Sequence, residues 1–137
     1  MANQLYTATR EKLLTAALGD LTSVVVKVYL MDAGTHTFSA ANDFEDDLVA
    51  EIAVATVTIS SAASGELDAS NTTFTSVSGA QSEELITWVD TAGAASTDPL
   101  IAYYDTFSAG MPVTPNGGDI TIAWPSGIVM TIKINDV

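Results

Sequence analysis

Leu85-Ile86-Thr87-Trp88-Val89, Leu100-Ile101-Ala102-Tyr103-Tyr104, Asp119-Ile120-Thr121-Ile122-Ala123-Trp124 and Ile128-Val129-Met130-Thr131-Ile132-Lys133-Ile134 are four apolar runs in the last third of the chain. Each has the length of a strand and is rich in β-branched or aromatic residues. Turn formers separate them: Asp90 to Asp98, Gly110 to Gly118, and Pro125-Ser126-Gly127. In the third run Ile120, Ile122 and Trp124 share one face and Thr121 and Ala123 the other. In the fourth, Ile128, Met130, Ile132 and Ile134 oppose Val129, Thr131 and Lys133. A two-residue period with one apolar face predicts strands that need an opposing layer.

The rest of the chain is expected to supply that layer. Thr22 to Met31 is the strongest early strand. Val24, Val26, Val28 and Leu30 alternate with Val25, Lys27, Tyr29 and Met31. Both faces are largely apolar, so this strand is expected to be central and covered on both sides. Glu51 to Ser60 reads as a strand, Ser61 to Gly65 as a small flexible loop with a turn at Gly65, and Glu66 to Asp68 as a short strand. Asn71 to Val77 reads as another, anchored by Phe74. His36 to Leu48 reads as a loop with one helical turn at Phe44 to Leu48.

Gln4 to Leu18 reads as the one substantial helix. Leu14 and Leu18 form a stripe with Leu5, Ala8, Ala17 and Leu21 beside it. Asn3 stands where a cap belongs, and Gly19 where a C-terminal glycine belongs. The narrow stripe packs either on its own domain or, as an arm, on a neighbouring subunit. The expected fold is mainly β: an antiparallel β-sandwich or barrel of about seven to eight strands with one N-terminal α-helix. Residues 1–137 read as a single domain, with the helix in 1–21 and the β domain in 22–137.

Composition narrows the function classes. The chain has 137 residues, of which 47% are hydrophobic, yet no run approaches the roughly 20 apolar residues of a membrane-spanning helix. The start, Met1-Ala2-Asn3-Gln4-Leu5, lacks the basic and apolar regions of a signal peptide, so none is expected. With no cysteine, disulfides and thiolate zinc sites are excluded. Four Lys and Arg face 17 Asp and Glu, for a net charge of -13. Such a chain has too few cations to neutralise phosphates, and its field repels nucleic acid and anionic membranes. The charge keeps the protein soluble or suits a basic protein surface.

Chemistry-bearing residues are few. Asp43-Phe44-Glu45-Asp46-Asp47 is the densest acidic cluster, but it lacks the spacing and glycine of a calcium loop, so a solvated acidic face is expected. His36 is the only histidine. It is a candidate general base, but it sits between two threonines without a nucleophile motif, and a surface histidine is expected. Paired carboxylates of a hydrolase would be possible in so acidic a chain, yet no spacing singles out a pair. Asp90, Asp98, Asp105 and Asp119 flank strands, where aspartate serves turns. No catalytic, cofactor or metal residue is therefore assigned.

Two features suit contact with a partner. Pro112-Val113-Thr114-Pro115-Asn116-Gly117-Gly118-Asp119 is a turn stiffened by two prolines, in which Asn-Gly-Gly permits positive φ. It is expected to set the register of the strand after it and to form a rigid surface loop. Trp88, Tyr103, Tyr104, Phe107 and Trp124 lie in or beside strands. At least two belong to the core, and Tyr104 and Phe107 are the more exposed. The candidate interface residues are therefore Tyr104, Phe107, Pro112, Pro115 and Asn116.

Several stretches also carry a resemblance. Thr73-Phe74-Thr75-Ser76-Val77-Ser78-Gly79 is followed by Ser82-Glu83-Glu84-Leu85-Ile86, by Asp90-Thr91, and by Pro99-Leu100-Ile101-Ala102-Tyr103-Tyr104-Asp105-Thr106. Then comes Pro112-Val113-Thr114-Pro115-Asn116-Gly117-Gly118-Asp119-Ile120, with Trp124 beyond. Ala8-Thr9-Arg10-Glu11 and Val26-Lys27-Val28 fit in the N-terminal part. In this order the chain resembles a group of small virion structural proteins of tailed bacteriophages, including cyanophages. The resemblance covers most of the chain and is sharpest from Thr73 to Trp124. It implies a capsid decoration, or cement, protein on the outside of the phage head, made in the bacterial host cytoplasm. The implied partners are the major capsid protein and further copies of the chain itself, as a trimer in preference to a dimer. Neither nucleic acid nor membrane is an implied partner, and no cofactor is implied. The alternative is a tail or fibre module that binds host carbohydrate.

Overall fold

The computed structural model describes residues 3–107, 110–124 and the backbone of 128–131. The fold is mainly β and sandwich-like. Its strands are β1 (Gln4–Leu5), β2 (Val25–Met31), β3 (Glu51–Val57), β4 (Ile59–Ala63), β5 (Glu66–Ala69), β6 (Thr72–Phe74), β7 (Glu84–Asp90), β8 (Leu100–Tyr104), β9 (Ile120–Ile122) and β10 (Ile128–Thr131). All pairings are antiparallel. One sheet runs β1-β8-β7-β2-β3, a second runs β10-β5-β4, and β6 and β9 form a ribbon. The expected turn at Pro125-Ser126-Gly127 and the end of the last run, Ile132-Lys133-Ile134, lie outside the described residues.

The main sheet is apolar on both faces, as the two-sided β2 pattern predicts. Val26, Val28 and Leu30 turn to one side and pack with Leu85, Val89 and Ala102. The second sheet and the ribbon close over them with Leu67, Ala69, Phe74, Ile122 and Trp124. Tyr29 and Met31 turn to the other side with Ile86, Trp88, Leu100 and Tyr103, and Tyr6, Phe38 and Leu48 cover them. β2 sits between β7 and β3, and β7 is buried along nearly its whole length. Phe74 is fully buried. The alternation read for Ile120 to Trp124 also holds: Ile122 and Trp124 are buried while Thr121 and Ala123 are exposed.

Ten strands among the described residues exceed the expected seven or eight. The Glu51 to Ser60 run is two strands, because the chain passes from the main sheet to the second between Val57 and Ile59. The stretch expected as a flexible loop, Ser61 to Gly65, is mostly β4. A two-residue turn, Ser64-Gly65, joins it to β5 with positive φ at both positions, 55° and 78°. That is the turn geometry whose twist matches a hairpin.

The helix is α1 (Thr7–Leu14), shorter than the expected Gln4 to Leu18. Its start is set by sheet pairing: Gln4 and Leu5 pair with Tyr103 and Ala102. Asn3 does not cap it. The Asn3 Oδ1 accepts hydrogen bonds from the Asp105 and Thr106 amides at 2.9 Å, tying the N-terminus to the end of β8. Thr15, not Gly19, closes the helix, and its Oγ1 donates to the Glu11 carbonyl at 3.0 Å. Leu14 is 88% exposed, so it is not part of the core stripe, whereas Leu18 and Leu21 are buried beyond the helix end. The helix instead buries Thr9, whose Oγ1 donates to the Leu100 carbonyl at 2.6 Å.

Trp124 closes the sandwich. It is 6% exposed, and its Nε1 donates to Thr72 Oγ1 at 3.1 Å. We expect Trp124→Ala to cost about 3–5 kcal/mol in chemical denaturation, through lost burial, a cavity and an orphaned hydroxyl. A loss below about 1 kcal/mol would mean that the indole does not fill this gap.

Candidate functional site

The surface residues named from the sequence lie around the main core. Tyr104 is half-buried at the end of β8, on the same face as Leu85, and its ring tilts against Trp124 with centroids 5.7 Å apart. Phe107 is also half-buried and packs on the main core. Both are more exposed than the other three aromatic residues, as expected, although each ring packs against the main core. Trp88, Tyr103 and Trp124 are buried. The five aromatic side chains thus form no open platform.

Pro112, Pro115 and Asn116 lie on a loop fastened to the segment before β7. Val113 and Ser82 exchange two backbone hydrogen bonds, each 2.9 Å. Four residues on, the Gly117 amide donates to the Val77 carbonyl at 2.7 Å, and the Val77 amide to the Gly118 carbonyl at 2.9 Å. Asp119 Oδ1 accepts the Ser76 amide at 2.9 Å, and Asn116 Oδ1 accepts the Gly118 amide at 3.0 Å. The loop leads into β9, and Ser76–Val77 follow β6, so this stitching sets the β6–β9 register. Gly117 has φ +87°, the conformation its lack of a side chain permits, whereas Gly118 has no positive φ. Pro112 and Asn116 are exposed and Pro115 is half-buried.

The acidic cluster is used locally. Asp47 Oδ2 accepts the Asp43 amide at 2.9 Å and the Phe44 amide at 3.3 Å around a short 3-10 turn, Glu45–Asp47. These bonds hold the Asp47 carboxyl below its usual range. Glu45 accepts the hydroxyl of Tyr29. Lys12 Nζ sits 4.2 Å from the centre of the Phe44 ring.

The most organised polar cluster is one that reading the sequence missed. His36 is not a surface residue: it is 4% exposed, and its Nδ1 donates to Glu84 Oε2 at 2.7 Å. Tyr103 donates its hydroxyl to Glu84 Oε1 at 2.5 Å. Glu84 begins β7 and points to the same side as Ile86 and Trp88. His36 comes from the loop after β2, 48 positions away in sequence. The hydroxyl of Tyr6 lies in the same region, buried without a hydrogen-bond partner among the described residues, as is His36 Nε2. A carboxylate orienting an imidazole is the arrangement that general-base catalysis uses. Here, however, the second nitrogen is sealed from solvent, so the pair acts as a fastener that pins the His36 loop over the sheet. The only sequence signal was the two-residue period that puts Glu84 on the face of Ile86 and Trp88.

Burial is the first cause that holds all four tyrosines well above their usual pKa of 10.0. Glu84 adds to it for Tyr103 and Tyr6, and Glu45 for Tyr29. No family model matches this chain, and no curated protein matches it.

Two outcomes are expected. Glu84→Ala strands His36 Nδ1 and the Tyr103 hydroxyl in the interior and should cost about 3–5 kcal/mol by chemical denaturation. The tyrosines titrate high in the folded state and normally when unfolded. Their stabilising contribution is therefore complete below about pH 10 and lost as pH rises further. Spectrophotometric titration of the native protein should show no tyrosinate near pH 10, and tyrosinate should appear only with cooperative unfolding. A smooth step of one or more tyrosines in the folded protein would contradict the burial described.

Proposed function

We propose that this chain is a non-enzymatic structural protein of a tailed-phage virion, a decoration protein that binds the outer surface of the head and bridges major capsid proteins. The observation that carries this reading is the stitched surface formed by Thr73 to Gly79 and Pro112 to Ile120. These are two of the stretches on which the resemblance rests. They are distant in sequence, yet they pair as β6 with β9 and join through the backbone bonds of Val77 with Gly117 and Gly118. A surface built on main-chain hydrogen bonds has the same shape in every copy. That is what a component repeated across a lattice needs, since many modest contacts then add through avidity. Pro112, Pro115 and Asn116 present it, with Tyr104 and Phe107 as the packed base. The charge of -13 fits a protein that avoids the packaged nucleic acid and the membrane and docks on protein. Copies assemble as trimers at three-fold positions, since closed symmetry matches a symmetric shell.

The carbohydrate-binding alternative requires an exposed aromatic platform, and burial of Trp88, Tyr103 and Trp124 counts against it. Immunogold labelling of intact virions with an antibody to this protein should place gold over the heads. Gold on tails or fibres, or no gold on particles, would overturn the decoration reading. A capsid reconstruction with isolated monomers would overturn the trimer.

The rigidity of the surface has its own test. Gly117→Ala should cost about 1 kcal/mol, all of it conformational, because a Cβ there meets no atom within 4 Å. Gly118→Ala should cost less, since only the end of the Asn116 side chain stands close, at 3.1 Å. Equal stability of Gly117→Ala and the parent protein would refute the turn.

A further inference from the structure

The loop before β9 holds an Asn-Gly step, Asn116-Gly117. No other asparagine of the chain precedes glycine: Asn3, Asn42, Asn71 and Asn135 are followed by Gln4, Asp43, Thr72 and Asp136. Asparagine beside glycine is chemically labile, because no side chain shields the next amide nitrogen from the asparagine carboxamide carbon. Asn116, Gly117 and Gly118 are exposed, and a Cβ on Gly117 would meet no atom within 4 Å, so the reacting atoms and water have room. Two hydrogen bonds act here in opposite directions. Asn116 Oδ1 accepts the Gly118 amide at 3.0 Å, which polarises Cγ and favours attack on it. The Gly117 amide donates to the Val77 carbonyl at 2.7 Å. That nitrogen must lose its proton to attack, and the anion it becomes is repelled by the Val77 oxygen. The second effect prevails, since a polarised carbon does not react while its nucleophile is masked.

We infer that Asn116-Gly117 is a site of spontaneous deamidation that the stitch to Val77 holds closed, and that reacts when the stitch opens. The Gly117 nitrogen bonds to Asn116 Cγ, the Cγ–Nδ2 bond breaks, and the side-chain nitrogen leaves as ammonia with the amide proton. Water then opens the cyclic imide at either carbonyl. One product has aspartate at position 116. The other has an isoaspartyl link, whose main chain is longer by a methylene. Both add a negative charge to Pro112 to Gly118, a stretch without charged side chains. The longer main chain also displaces Gly117 from Val77, so the isoaspartyl form does not restitch in register. The change therefore marks a molecule whose loop has opened. It does not depend on the virion reading; within that reading it lowers the docking of molecules so marked.

The full chain, incubated at mildly alkaline pH both folded and in urea and followed by peptide mass spectrometry, provides the test. In urea Asn116 should convert ahead of the other asparagines. In the folded chain it should convert at least about tenfold more slowly, because only the opened fraction reacts. Asp119 is exposed, and Asp119→Ala removes the acceptor of the Ser76 amide while leaving Asn116, Gly117 and Val77 unchanged. It should raise the folded-state rate about threefold or more. Asp119→Asn keeps an acceptor oxygen and should leave the rate near that of the parent, which separates the hydrogen bond from the charge. Hydrogen exchange gives a second readout: the Gly117 amide should be protected in the parent and exchange freely in the isolated isoaspartyl form. Equal rates in the folded and unfolded chain would overturn the inference. So would a folded-state rate that Asp119→Ala leaves unchanged or that Asp119→Asn raises as much, and so would protection of the Gly117 amide retained in the isoaspartyl form.

Discussion

A sheet that is apolar on both faces must be covered twice, and this constraint shapes the molecule. β2, β7 and β8 place large side chains on both sides, so one opposing sheet cannot complete the fold. The second sheet and the β6–β9 ribbon cover one face around Val28, Leu85 and Trp124. The other face has no sheet against it among the described residues. It is closed by side chains from irregular segments: Tyr6 before the helix, and Phe38 and Leu48 from the loop after β2. A loop is a poor lid unless something fixes it, because its backbone has no ladder to hold it.

Glu84 supplies that fixing point. Its two oxygens take the His36 imidazole from the loop and the Tyr103 hydroxyl from the neighbouring strand, so one carboxylate links loop, β7 and β8. A second tie repeats the logic further along, where Tyr29 of β2 donates to Glu45 of the acidic turn. A third is Ser82, whose hydroxyl donates to the Met31 carbonyl at 3.0 Å and locks the entry of β7 to the end of β2. A polar group buried in this way costs folding energy unless it is paired, so such ties specify one loop position rather than a range of them.

The strands were legible where the apolar period was long. Val26 to Met31, Leu85 to Val89 and Leu100 to Tyr104 needed only the alternation and their bounding turns. β4 was not, because Ser-Ser-Ala-Ala has neither apolar period nor β-branched residues, and its pairing comes from the turn at Ser64-Gly65. The helix was read too long because helical propensity at Gln4 and Leu5 competes with pairing to Tyr103 and Ala102, and the pairing prevails. Asn3 looked like a cap for the same reason. The burial of His36 was invisible because its partner lies on another strand, and a polar neighbourhood in sequence says nothing of the neighbourhood in space. The candidate surface was legible as a rigid turn, but its fastening to Ser76, Val77 and Ser82 was not.

The acidity of the chain has a structural part that bears on function. Asp20, Asp32, Asp90 and Asp98 accept the amides of Thr22, Gly34, Ala92 and Thr91, at 2.9, 2.7, 2.8 and 2.9 Å. Asp47 and Asp119 do likewise for Asp43 and Ser76, and Glu83 for Ala33. These carboxylates hold turns together, so net charge alone is a weaker sign of a basic partner than its size suggests. What the charge does set is where contacts can form. A chain that repels its own copies over most of its surface can meet them only where carboxylates are sparse. Both the Pro112 to Gly118 loop and the Ile52 to Gly65 segment are free of charged side chains. Repulsion therefore leaves these stretches, and the uncharged Ser70 to Ser82 beside the loop, available for contact.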